Sequence, residues 1–215
     1  MPRDTDTMIN ASPSLNLHAV IPSSRVNGPG KRLVVFFQGC RRNCAGCFNP
    51  QTHPIKPKNM MPLKIESLFS SYLKPGINGI TISGGEPFLQ SAALKELLKT
   101  ARHEKALTTV VYTGFTIEEA RASSEMSPCL EFIDVLIDGA FDKNKKEPSL
   151  LARGSTNQRL HFLTGRYTPS DFYMPGKAEV LIAKDGTITG TGFGTITLHG
   201  AGIARHLRNE QAKSI

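Results

Sequence analysis

Three cysteines crowd into one short stretch of the sequence, Cys40, Cys44 and Cys47, and they are its densest set of soft metal ligands. The Cys-x3-Cys-x2-Cys spacing supplies three thiolates from one loop, whereas a cubane of four irons has four metal corners to ligate. One iron would stay open to a small molecule, just as catalytic metal sites keep a vacant position while structural ones are closed. The competing reading is zinc, with His53 as a fourth ligand, although zinc modules more often pair their ligands on two separated knuckles. Cys129 stands alone far downstream, so the four cysteines do not form a disulfide framework, and crowded thiols in a reducing compartment point to metal. A second run with chemical potential is Gly84-Gly85-Glu86-Pro87. Glycines let the backbone approach a ligand closely, and Glu86 offers an acceptor to an ammonium group.

The elements that must position these residues follow from periodicity. Leu33 to Gln38 is a short apolar run behind the turn-rich Asn27-Gly28-Pro29-Gly30, which predicts a buried strand that ends where the cysteines begin. Leu63, Leu68 and Tyr72 sit at helical spacing before Pro75-Gly76, and Gly79 to Ser83 is a second strand leading into the glycine-rich loop. Leu89, Ala93, Leu94, Leu97 and Leu98 recur at intervals of three and four, which predicts a helix with one apolar face. Thr108 to Thr113 is a third strand, Thr116 with Glu119 is a capping box for a helix to about Ser124, and Phe132 to Ile137 is a fourth strand. Strand and helix alternate, so the fold class is α/β: a parallel sheet covered by helices. With about four such units it would be an open, partial β/α barrel carrying its site on the loops at the strand C-termini.

The pattern changes after Gly139. Asp142 to Lys146 is a polar loop, and Ala178 to Ala183 with Thr187 to Phe193 reads as a β-hairpin turning at Asp185-Gly186. The expected organisation is a disordered lead-in over residues 1–16, a core domain over 17–163 and a C-terminal appendage over 164–215, whose tail from Gly200 is a short basic helix or disordered. At 215 residues, 39% apolar and 20% charged, the chain can build a core without staples. No apolar run approaches the roughly 18 residues of a membrane span, and the first residues lack a signal-peptide pattern, so a cytoplasmic protein is expected. The formal charge of +8 is spread along the chain, with only Lys143, Lys145, Lys146 and the pair Arg41 and Arg42 adjoining; nucleic-acid binding is not expected.

The cysteine spacing after the first predicted strand resembles that of the radical S-adenosylmethionine (SAM) superfamily. The resemblance implies a [4Fe–4S] cluster on Cys40, Cys44 and Cys47, with SAM chelating the open iron through its amino and carboxylate groups. It implies that one electron from the cluster cleaves SAM to methionine and a 5′-deoxyadenosyl radical, the hard chemistry belonging to the cofactor. Ser83, Gly84, Gly85 and Glu86 resemble the second-strand motif that holds the SAM amino group, and Thr113 and Asp138, at later strand ends, are further candidates for the SAM pocket. Within the superfamily the chain is most similar to the activating proteins of anaerobic ribonucleotide reductase, small glycyl-radical activases. The likeness rests on Val26-Asn27-Gly28-Pro29-Gly30, Cys44-Ala45-Gly46-Cys47-Phe48-Asn49, Val135-Leu136-Ile137-Asp138-Gly139, Pro148-Ser149-Leu150 and Arg153-Gly154-Ser155-Thr156-Asn157-Gln158, in that order. The superfamily usually has an aromatic residue just before its third cysteine; here Gly46 stands there and Phe48 follows, as in the activases. The partners so implied are a large glycyl-radical reductase subunit and a low-potential electron donor such as flavodoxin, ferredoxin or a thioredoxin system.

Several residues have a plain reading beside the functional one. Asn27 orders a loop over the cluster or forms a turn. Arg153 and Gly154 to Gln158 contact the partner or SAM, or form a polar surface loop. His53, His103, His161 and His199 are expected to be structural, since hydrogen abstraction by a carbon radical needs no general base, and Cys129 reads as a buried thiol. Two other functions fit the sequence: a radical SAM enzyme acting on a small molecule or peptide, with the appendage as a lid, and a zinc-held module binding nucleic acid or protein.

Overall fold

The computed structural model describes residues 13–149, 151–174, 178–182, 188–192 and 207–209. Its centre is a seven-stranded sheet in the order β3-β1-β2-β4-β5-β6-β7. Four strands are parallel: β2 (Arg32–Phe37), β4 (Gly79–Gly84), β5 (Thr108–Tyr112) and β6 (Val135–Asp138). They are the four strands predicted from the apolar runs, and all six residues of β2 are buried, as expected where a parallel sheet is covered on both faces. The result is a mixed α/β fold with a mostly parallel central sheet.

Three antiparallel strands flank this core, and none was among the predicted elements. β1 (Ser14–Ser24) lies between β2 and β3 (Met61–Lys64), and β7 (Arg159–Phe162) pairs with β6 at the other edge. The lead-in expected through residue 16 therefore gives way to the sheet earlier: Ser14 already pairs with Lys64 and Asn16 with Pro62. Residues 1–12 lie outside the described ones.

One face of the sheet carries α1 (Ile65–Tyr72), α2 (Ser91–His103), α3 (Ile117–Ala122) and α4 (Ser127–Leu130). The apolar face predicted for α2 is buried at Ala93, Leu94, Leu97 and Leu98 against Leu33, Val35, Ile80, Ile82 and Val111. Leu89, counted with them in the sequence, is exposed, because the chain makes a 3-10 turn over Pro87–Gln90 before the helix starts. The capping box at α3 forms as predicted, with Thr116 N on Glu119 Oε2 at 2.6 Å and Glu119 N on Thr116 Oγ1 at 3.2 Å. Each fully buried Leu or Phe in this layer stabilises the fold by about 1.5–3 kcal/mol.

The opposite face is covered by later residues. Phe172, Met174 and Ala152 pack on Val110, Val135 and Ile137, while Leu181 packs on Ile21, Val34 and Phe36. A core expected to end at residue 163 thus draws also on Tyr167, Phe172 and Met174. Leu181 belongs to β8 (Ala178–Ile182), which pairs antiparallel with β9 (Ile188–Gly192) in the register Ala178 to Gly192 and Ile182 to Ile188. The turn expected at Asp185-Gly186 lies outside the described residues. β10 (Leu207–Asn209) adds to β9 in parallel, a strand within the tail where a basic helix or disorder was expected. Among the described residues no helix is long and apolar enough to cross a membrane.

Candidate functional site

β2 ends at Phe37 and the chain passes through Gln38 and Gly39 into the cysteine loop. Gly39 adopts φ +104°, a left-handed conformation that a side chain would oppose. The loop closes at its base, where Gly39 N donates to Thr52 O at 2.8 Å and Cys40 N to His53 O at 3.1 Å. Inside it, Cys47 N donates to Cys44 O at 3.1 Å, so the last two cysteines flank one tight turn. All three thiols are half-buried and free. Burial pushes the Cys40 and Cys47 thiols up, and backbone amides pull them back: those of Arg42 and Asn43 on Cys40, and that of Asn49 on Cys47, 3.4 Å from its sulfur. Amides aimed at sulfur favour the thiolate, the form that binds metal, and they tune a cluster once bound.

This donor set fits a cubane with one open iron, which needs three protein thiolates. His53, the fourth ligand in a zinc reading, has Nδ1 3.2 Å from Asn43 Oδ1. Three thiols spaced round a loop instead match a cubane, which takes one thiolate at each of three irons.

β4 delivers Gly84, Gly85 and Glu86 beside that loop. The close approach its glycines allow is to the chain itself. A Cβ on Gly84 would lie 2.5 Å from Phe37 N, and one on Gly85 would lie 2.2 Å from Gly39 O. The exits of β2 and β4 therefore lie against each other, laced by Gly85 N to Phe37 O and Glu86 N to Gly39 O, both 2.8 Å. The Glu86 side chain is 2% exposed. Its Oε1 accepts from Phe88 N at 3.0 Å and Thr113 Oγ1 at 2.8 Å, and its Oε2 from Gly114 N at 2.8 Å. Burial pushes this carboxyl above the usual range, against the pull of those three donors and of Arg42. A carboxylate has about four acceptor directions, so three donors leave one open.

The remaining predicted site residues fall on the same rim with different partners. Ser83 is buried at the end of β4. Thr113 donates to Glu86 and accepts from Phe115 N at 3.1 Å, joining the exit of β5 to that of β4. Asp138 is fully buried and occupied by the fold. It accepts from Ile117 N at 2.7 Å, from Arg159 Nε at 3.1 Å and Nη2 at 2.6 Å, and stands 3.0 Å from His161 Nε2. Burial alone would raise the Asp138 carboxyl, but Arg159 and the Ile117 amide outweigh it and hold it low.

Walls around the cysteine loop come from residues that periodicity does not flag. Arg42 lies 4.3 Å from the Phe115 ring centre and bonds Glu119 at 3.2 Å. Phe48 packs on Phe141 with ring centres 4.7 Å apart, and a Cβ on Gly154 would sit 2.7 Å from Phe48, which is why that turn carries glycine. Arg153, Asn157 and Gln158 fold their own loop: Arg153 Nη1 donates to Gln158 O, Asn157 Nδ2 to Ala140 O and Gln158 Nε2 to Gly139 O. Asn27 is not over the cysteines. It lies at the opposite end of the sheet, where Nδ2 donates to Ser24 Oγ at 2.8 Å and Thr191 Oγ1 at 2.9 Å and so ties β9 to the core.

Residues 26–161 match the family described as a 4Fe-4S single cluster domain. The chain is 34% identical to the anaerobic ribonucleoside-triphosphate reductase-activating protein of Pasteurella multocida (strain Pm70), a match covering 70% of this chain and 99% of that protein. It is also 34% identical to the protein of the same name from Escherichia coli (strain K12), covering 69% and 99%, and from Enterobacteria phage T4, covering 68% and 93%. Among solved structures it is similar to QueE from Escherichia coli, with TM-score 0.42 and 14% identity over 58% of this chain and 71% of that one.

Proposed function

Since the chain belongs to the anaerobic ribonucleoside-triphosphate reductase-activating proteins, a 4Fe-4S single cluster family, we propose that it installs a glycyl radical on an anaerobic reductase. The observation that carries this reading is the pairing of two strand exits: three thiols on the loop after β2, laced to a buried carboxylate after β4. Cys40, Cys44 and Cys47 would hold one [4Fe–4S] cluster. Such a cluster would supply one electron to bound SAM, giving methionine and a 5′-deoxyadenosyl radical to take a hydrogen from a glycine of the partner.

In this proposal the chain's own residues bind, orient and exclude water. The open acceptor direction of Glu86 would receive an N–H of the SAM amino group, a charge-assisted bond strengthened by burial. Ser83, Gly84, Gly85 and Thr113 line that wall, and Thr113 and the Gly114 amide keep Glu86 in place. Asp138 acts one step back, since its acceptors are taken by α3 and β7. We read the four parallel strands as part of an open partial barrel, with β8 and β9 as an appendage outside the matched family region. The face that would enclose a small substrate is packed by Phe172, Met174 and Leu181, which favours a protein substrate reaching the cluster from its mouth. The cluster loop is open there, with Arg41, Ala45 and Gly46 exposed and Lys143 against Gly46. That opening suits a low-potential donor such as flavodoxin, ferredoxin or a thioredoxin system as well as the reductase.

The test is anaerobic reconstitution with iron and sulfide, then SAM and dithionite with and without a glycyl-radical reductase. Four irons per chain and 5′-deoxyadenosine released in step with the reductase are expected. Stoichiometric zinc in place of iron, or turnover of a small molecule without any protein partner, would overturn the reading.

A further inference from the structure

Asn49 follows the third cysteine by two residues, and its backbone is fully used. Its amide points at Cys47 Sγ, and its carbonyl accepts from Thr52 N at 3.0 Å and Thr52 Oγ1 at 2.7 Å. The side chain is only 7% exposed, yet its Oδ1 is buried with no hydrogen-bond partner among the described residues. Buried amide oxygens are almost always paired, so an orphan beside a ligand site marks the place of a missing donor.

A short ladder joins this oxygen's turn to Glu86. Thr52 O accepts from Gly39 N, Gly39 O accepts from Glu86 N, and a Cβ on Gly85 would come within 3.0 Å of Thr52 O. Asn49 and Glu86 thus sit on adjoining turns braced by the same glycine. Both offer an acceptor that the fold leaves open, and together they call for a group with two N–H donors. The α-amino group of SAM, with its lone pair on the open iron, keeps two.

We propose that Asn49 is a SAM-binding residue, its carboxamide oxygen accepting one N–H of the amino group while the Glu86 carboxylate accepts the other. This rests on the activase reading and adds to it a role for Asn49, which stands in the cluster-loop motif without one. Asn49 also brackets Cys47 through its amide, so one short turn serves both the cluster ligand and the cofactor.

The experiment compares wild type, Asn49→Ala and Asn49→Asp after anaerobic reconstitution, with iron and acid-labile sulfide measured per chain. SAM affinity is then read per loaded cluster by calorimetry, and electron paramagnetic resonance follows the change in the reduced cluster's signal as SAM is added. Asn49→Ala should keep its iron and bind SAM roughly ten- to a hundredfold more weakly, the loss of one hydrogen bond to that amino group. Asn49→Asp keeps the acceptor and should stay near wild type. Unchanged affinity in Asn49→Ala, or equal weakening in Asn49→Asp, would overturn the inference. Iron loss in Asn49→Ala with wild-type affinity at the clusters that remain would assign the side chain to holding the loop and overturn it as well. If loaded wild type binds no SAM, the activase reading itself falls.

Discussion

The two ends of the parallel sheet each bury a charge and handle it in opposite ways. At the N-terminal ends Arg32 is fully buried, and its guanidinium spends its donors on neutral oxygens. Nε reaches Thr81 Oγ1 at 2.6 Å, Nη2 reaches Ile80 O at 2.7 Å, and Nη1 reaches Pro29 O, Thr108 Oγ1 and Tyr167 OH at 3.0–3.2 Å. Burial pulls this guanidinium down, and the ring of oxygens keeps it tolerable as a cation. At the C-terminal ends Glu86 is as deeply buried but takes three donors, one fewer than its four acceptor directions. A saturated charge holds strands together, whereas an unsaturated one waits for a ligand. The same division applies in barrel enzymes, where one face carries stability and the other the site.

Substitutions at the two ends should separate these roles. The largest effect belongs to the cysteines: alanine at Cys40, Cys44 or Cys47 should remove most iron and all SAM cleavage, measured after reconstitution. Cys129→Ala should keep its iron, for that thiol is buried beneath α2, its pKa pushed up to about 11, with Sγ against Ser91 O. At the Arg32 end, Gly79→Ala would place a Cβ 2.3 Å from Thr108 Oγ1 and 2.4 Å from Arg32 Nη1. A loss of about 2–3 kcal/mol in denaturant unfolding is expected, with SAM affinity per loaded cluster unchanged. The smallest effect is Glu86→Gln, which keeps the shape but removes the charge: about tenfold weaker SAM binding, iron unaffected. If Gly79→Ala weakened SAM binding as much as Glu86→Gln, the two ends would not be separable.

Much of the site could be read from the sequence because its ligands are local. Cys40, Cys44 and Cys47 lie on one loop, so spacing places them together, and strand–helix alternation puts Gly84 to Glu86 at the end of a strand parallel to theirs. The partners of Glu86 were not legible, since Thr113 and Gly114 reach it only through the parallel register of β4 and β5. Nor was the orphan Oδ1 of Asn49, which depends on how one turn packs. In the fold, β2 and α2 announce themselves by unbroken apolar runs and helical spacing. β1 and β7 do not, because flanking antiparallel strands mix polar residues in: Asn16 and His18 sit among Leu15 and Leu17, and Arg159 and His161 alternate with Leu160 and Phe162. Arg32 was hidden for another reason. An arginine is expected at the surface, and only the oxygens of Thr81, Thr108 and Tyr167, distant in sequence, make its burial possible.

The central claim is that these two strand exits make a radical for another protein. Electron paramagnetic resonance tests it most directly: the reconstituted chain is mixed anaerobically with SAM, a low-potential reductant and an anaerobic ribonucleoside-triphosphate reductase, and the frozen sample is scanned for an organic radical. The account predicts a glycyl-radical doublet on the reductase that is absent when Cys44 is alanine or SAM is omitted. A fully loaded cluster that cleaves SAM yet leaves the reductase without that doublet would contradict it.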